Sequence, residues 1–215
     1  PEEYGGFDFG MVGMGSILEE AGKTLTPSPL FSTGVLGASL LTLGGTDHQK
    51  QTYLPKIVDG TLTTALALEE SNRHAPHSIE TQAKKDGNNF VISGNKNFVI
   101  DGHSSNLLIV AARTEGSTND ASGITLFLVD SDNPDVEITP PSMVDSSNAS
   151  NLTFNDVAVS SSTLLRSYNN GSSLFAVVLY IAHIALSSSL LGTARPAFDF
   201  TLPSLPDRTP FASVL

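Results

Sequence analysis

Apolar positions recur at helical spacing over roughly the first sixty residues, at strand spacing over the next hundred, and at helical spacing again toward the C-terminus. From Met11 to Ala21 the apolar side chains share one face, and Gly22 follows as a stop signal. Leu30 to Leu43 is apolar almost throughout, which predicts a buried helix ending at Gly44-Gly45. Thr46-Asp47-His48-Gln49 has the form of a capping box, in which the Thr hydroxyl and the Gln side chain satisfy each other's orphan amides. The helix it starts carries Tyr53, Leu54 and Ile57 and stops near Asp59-Gly60.

The period then changes. Leu66 and Leu68 alternate with small residues and lead into Glu69-Glu70. Asp86-Gly87 and Ser93-Gly94-Asn95 separate Ile79–Lys85, Phe90–Ser93 and Lys96–Ile100, which reads as two hairpin turns between three short strands. Leu107–Ala112, Ile124–Val129, Val136–Thr139 and Leu152–Val159 also read as extended, with turn residues between them. Short strands at this spacing predict an antiparallel β-barrel or sandwich. From about Ser172 a helix runs through Phe200. Pro196, Pro203, Pro206 and Pro210 crowd its end, and a mid-helix proline costs about 3 kcal/mol, so the helix is expected to break after about Leu202. The expected class is α+β, with a helical part over 1–60, a β-domain over 61–165 and the start of a C-terminal helical domain over 166–215.

Composition narrows the chemistry. With 40% hydrophobic residues and mean hydropathy near zero, the chain falls among globular proteins. A formal charge of −11, with only 11 basic residues scattered along the chain, argues against a nucleic-acid partner. There is no cysteine, hence no thiolate nucleophile and no disulfide framework. PEEYGG lacks the basic-then-apolar pattern of a signal peptide, and the apolar run Leu174–Leu186 is shorter than a bilayer span, so a cytoplasmic location is expected. Glu70, His74 and His77 have metal-ligand side chains, but their spacing in a Pro-containing loop is not a ligand pattern, and no metal is expected.

Eight segments carry a further signal: PEEYGG, LEEAGKTLTPSP, YLPKIVDG, ALALEE, GNKNFVI, LLIVAART, NLTFNDVAV and LLGTARPAFDF. In this order and spacing the chain resembles the acyl-CoA dehydrogenases over essentially its whole length. The resemblance implies a helical N-terminal domain, a middle β-domain and a C-terminal helical domain, with FAD and a fatty acyl-CoA bound between the last two. It also implies a reaction in which a glutamate removes the α-proton while a hydride leaves the β-carbon for flavin N5. Such an α-proton is weakly acidic, so the site must be desolvated and the enolate oxygen must receive hydrogen bonds. An electron-transfer flavoprotein and a homo- or hetero-oligomeric assembly are implied as partners.

Carried over residue by residue, the resemblance places flavin contacts at Leu68, Glu69, Phe98 and Ile100. Glu69 stands where the family has a threonine hydroxyl, Phe98 where it has a tryptophan, and Ile100 where it has a second hydroxyl. An Arg-x-Gln-Phe-Gly element that reaches the FAD pyrophosphate falls at Arg208 and Phe211. Ala75 and His183 fall at substrate-contacting positions. No carboxylate occupies either position at which family members carry their base: Ala182 stands at the one on the first C-terminal helix, and the other falls past Leu215. The chain thus reads as a fragment of its family's length with no catalytic base of its own, and resembles a subgroup with degenerate flavin motifs. Two functions follow: an acyl-CoA dehydrogenase-like flavoprotein, or a non-catalytic, flavin-poor partner subunit of such an assembly. A plain β-barrel binding module would leave the ordered segments unexplained.

Overall fold

In a computed structural model of the chain, residues 1–139, 143, 148–166 and 168–204 are described. After a single 3-10 turn at Glu2–Tyr4 come three helices: α1 (Gly10–Lys23), α2 (Leu30–Gly44) and α3 (Asp47–Val58). Eight strands follow: β1 (Thr64–Ala67), β2 (Gln82–Asp86), β3 (Asn89–Ile100), β4 (Leu107–Arg113), β5 (Ile124–Asp130), β6 (Val136–Thr139), β7 (Ala149–Ser160) and β8 (Leu164–Leu165). The last element is α4 (Gly171–Ser204).

The capping box forms as its sequence dictates: Gln49 N–H donates to Thr46 Oγ1, and the Thr46 amide donates to Gln49 Oε1. Helix α2 opens with a π-helical stretch over Leu30–Gly37 before becoming α-helical at Ala38, which the apolar pattern did not predict. It abuts β1 closely, because a Cβ on Gly37 would lie 1.8 Å from Thr64 Oγ1.

The strands form one sheet in the order β6-β7-β3-β2-β4-β5-β8, with β1 alongside β4. Every pairing is antiparallel except two: β1 on β4, and the single contact of β2 with β4. The sheet is therefore mixed, not purely antiparallel as expected, because β1 reaches β4 only after the chain has passed through β2 and β3. The Asp86-Gly87 hairpin is present, with Gly87 at φ +59°. The second expected turn is not: Ser93-Gly94-Asn95 lies inside β3, and Gly94, at φ +147°, sits at a register shift. A positive-φ glycine serves a bulge as readily as a turn, and here the close approach of Thr81 (2.6 Å from a Cβ on Gly94) excludes any side chain.

Both faces of the sheet are covered. Along β4, Leu108, Val110 and Ala112 point into a core shared with Phe90, Phe127 and Phe154, while Leu107, Ile109 and Ala111 face the helices. That second core joins Leu40 and Leu41 of α2 to Leu174, Phe175 and Val178 of α4, and so fixes α4 against α2 and β5. Helix α4 passes through Pro196 and Pro203 to Ser204. Its length corrects the expectation drawn from the apolar run alone, since by length and composition it would cross a membrane. Only 28% of its apolar window is buried, and α4 packs against α1.

Candidate functional site

The end of β1 is tied to the middle of β3 by a buried ion pair. Lys96 Nζ, fully buried, donates to Glu70 Oε1 at 2.6 Å and to the Leu68 carbonyl at 3.1 Å. Burial pushes the Lys96 ammonium down to about 8, against the opposing pull of Glu70. Burial alone would raise the Glu70 carboxyl, but the Lys96 charge and hydrogen bonds from Lys96, Thr81 and Glu80 outweigh it and hold it low. Asn97 adds two bonds, from its amide to Glu69 O and from Nδ2 to Glu70 O. These bonds fix residues 68–70 beside residues 96–100.

Residues 98–100 form the other half of the wall. Phe98 occupies the left-handed region (φ +52°), its amide donates to Asn151 Oδ1, and its side chain stands 52% exposed. Ile100 is 39% exposed. Phe98 and Ile100 thus present apolar surface toward a cavity. In front of them lies a cavity of about 250 Å³, lined by Leu66, Leu68, Glu69 and His74, with Phe98 and Ile100. Its opposite wall is Phe31 and Leu36 from α2 and Leu179, Ala182, His183 and Leu186 from one face of α4. A second cavity of about 550 Å³ shares Phe31, Phe98 and Ile100 and runs on past Thr26, Ser28, Asp101 and Asn148.

The structure thus brings Leu68, Glu69, Phe98, Ile100 and His183 around one cleft. Ala75 is not part of that lining, and its amide donates to Glu69 Oε2 at 2.9 Å. Arg208 and Phe211 lie outside the described residues. Glu70, His74 and His77 go separate ways: Glu70 to Lys96, His74 to Glu69, and His77 against the Phe175 ring. No cluster able to hold a metal occurs among the described residues. Sequence reasoning missed Phe31 and Leu36, and it missed Leu179 and Leu186, whose spacing with Ala182 and His183 carries the signal of a single helix face.

Glu69 lines the cleft with its carboxylate already partnered. Its Oε1 lies 2.6 Å from His74 Nδ1 and its Oε2 takes the Ala75 amide, so the carboxylate is engaged within its own loop. For a flavin this means a fit on the face and a poorer one at the edge. Leu68, Phe98 and Ile100 supply an apolar surface for a flat ring system. Neither wall residue 69 nor 100 offers a hydroxyl, so hydrogen bonds to the ring edge would fall to main-chain amides.

The model of the acyl-CoA dehydrogenase middle domain matches residues 65–157, and that of the acyl-CoA dehydrogenase N-terminal domain matches residues 1–61. The probable acyl-CoA dehydrogenase YngJ of Bacillus subtilis is 30% identical over 217 residues, covering 98% of this chain and 57% of that protein. The mitochondrial isovaleryl-CoA dehydrogenase of Pongo abelii is 29% identical over 226 residues, covering 98% of this chain and 52% of that protein. Among solved structures, an acyl-CoA dehydrogenase from Geobacillus kaustophilus superposes with a TM-score of 0.88 at 27% identity, over 100% of this chain and 58% of that one. The chain therefore spans somewhat over half the length of these relatives.

Proposed function

The chain belongs to the acyl-CoA dehydrogenase family, and on that premise we propose that it serves α,β-dehydrogenation of an acyl-CoA thioester as an acyl-CoA dehydrogenase-like flavoprotein. The observation that carries this reading is the cleft itself, an apolar cavity closed by the β1 and β3 strand ends on one side and one face of α4 on the other. Leu68, Phe98 and Ile100 would hold the face of the FAD ring, with amides at Leu68 and Glu69 at its edge. FAD, when bound, supplies the hydride acceptor. The protein's own part is to orient the acyl group, exclude water and keep the wall rigid through Lys96 and Glu70. An electron-transfer flavoprotein would reoxidise the cofactor, and further subunits would complete the assembly. Purified protein is expected to take up FAD and show a visible flavin band that shifts when an acyl-CoA is added anaerobically, without being bleached, because Ala182 stands at the base position on α4; no FAD uptake contradicts the reading.

Three features of the cleft favour a second function. With Glu69 engaged by His74, no hydroxyl at Ile100 and an alanine at 182 on the cleft face of α4, the chain suits a partner subunit that keeps the fold without flavin. Binding of acyl-CoA with no FAD uptake would decide for it.

A further inference from the structure

Arg113, the last residue of β4, is a buried cation without a carboxylate partner. It is 6% exposed, and no ion pair among the described residues involves it. Its guanidinium instead donates to five main-chain carbonyls at 2.6–3.3 Å: Nε to Ile79, Nη1 to Asp120 and Ser122, and Nη2 to His77 and Thr118. A rigid fork of five N–H donors is particular to arginine, so no other side chain could make this set. His77 and Ile79 lie in the segment that joins β1 to β2, and the other acceptors lie in the loop from β4 to β5, so one side chain binds the two together. The Ile79 amide, which donates to the Thr118 carbonyl, tightens the same junction.

The bound segment reaches both walls of the cleft. At one end His74 and the Ala75 amide hold the Glu69 carboxylate, and His74 lines the cavity. Farther along, the His77 ring lies 5.5 Å from that of Phe175 in the first turns of α4, and Ile79 is buried in the core that holds Leu68 and Phe175. We propose that Arg113 is a positioning residue of the cleft, holding residues 74–79 as a strut between the end of β1 and α4 and so setting the spacing of the two walls. Arg113 does not line the cavity and acts through His77 and Ile79. The proposal rests on the reading that the cleft takes FAD and an acyl-CoA.

The test combines trypsin cleavage after Arg73, an exposed site in the same segment, with thermal midpoints and calorimetric binding of FAD, butanoyl-CoA and hexadecanoyl-CoA. Arg113→Gln is expected to be cut after Arg73 about tenfold faster than the parent protein and to bind about tenfold more weakly. Arg113→Lys, with three donors in place of five, is expected to fall between the two. Thr46→Ala is the control: it removes the α3 cap and lowers the midpoint, yet is expected to be cut and to bind as the parent does. A loss of binding in Thr46→Ala equal to that in Arg113→Gln would reduce Arg113 to global stability and overturn the proposal. A folded Arg113→Gln with parental cleavage or parental binding would overturn it as well. Amide exchange in the parent protein decides the matter even where neither Arg113 variant folds. Exchange over residues 74–79 is expected to slow on binding of FAD or an acyl-CoA, and exchange there that ignores a bound ligand overturns the proposal. A parent protein that binds none of the three ligands overturns the reading of the cleft, and the proposal with it.

Discussion

Lys96 and Glu70 show how much one pair of side chains can fix. A buried ammonium is costly unless paired, and removing one partner leaves the other charge stranded, at a typical loss of 3–5 kcal/mol. Lys96→Met is therefore expected to lower unfolding stability by about that amount, while Lys96→Met with Glu70→Leu costs much less, as read from urea denaturation. The pH dependence follows from the same pair. The Glu70 carboxyl sits below its ordinary value, so its contribution is complete above the unfolded carboxyl range and is lost as pH falls through the folded value. Lys96, lowered to about 8 from 10.5, binds its proton more weakly folded than unfolded, so its contribution rises with pH between those values. Denaturation midpoints taken across pH check both signs, and Lys96→Met is expected to remove the alkaline rise. That Glu69-Glu70 follow the first strand was legible in the sequence, and the fate of the Glu69 carboxylate was not. Its carboxylate is captured by a histidine five residues on, through a loop closure that no periodicity encodes.

Among the elements, α1 and α4 meet through small residues. A Cβ on Gly192 would lie 2.0 Å from the Glu19 carbonyl, one on Gly22 would lie 2.2 Å from that of Ser189, and one on Gly15 would lie 3.0 Å from Ser188 Oγ. This accounts for Ser188 and Ser189 in an otherwise apolar helix, since small side chains let the two backbones approach. Gly192→Ala is expected to destabilise the fold by about 1–3 kcal/mol, the usual cost of overpacking, as a drop in thermal midpoint. Helix α3 was legible because its capping box is local, and α1 and α4 because their periods are; Gly22, read as a stop, instead lies inside α1, where it meets Ser189. The bulge in β3 was misread as a turn because a positive-φ glycine marks both, and only the partner strand, Ala149–Ser160, decides between them.

Across the whole molecule, the cleft exists only because residues distant in sequence converge: Phe31 of α2, Leu68 after β1, Phe98 of β3 and His183 of α4. Order and type of elements were readable from period, and so was the wall at residues 68–70 and 98–100. The parallel seat of β1 on β4, and with it the α2 side of the cleft, was not, because long-range pairing leaves no local mark. The account stands on that cleft being the ligand site. Its most direct test is calorimetric titration of FAD and of an acyl-CoA into the parent protein and into Phe98→Asp, a substitution at an exposed position that the fold tolerates. The parent is expected to bind, and Phe98→Asp to bind at least tenfold more weakly with its thermal midpoint little changed. Binding by Phe98→Asp equal to that of the parent would contradict the account.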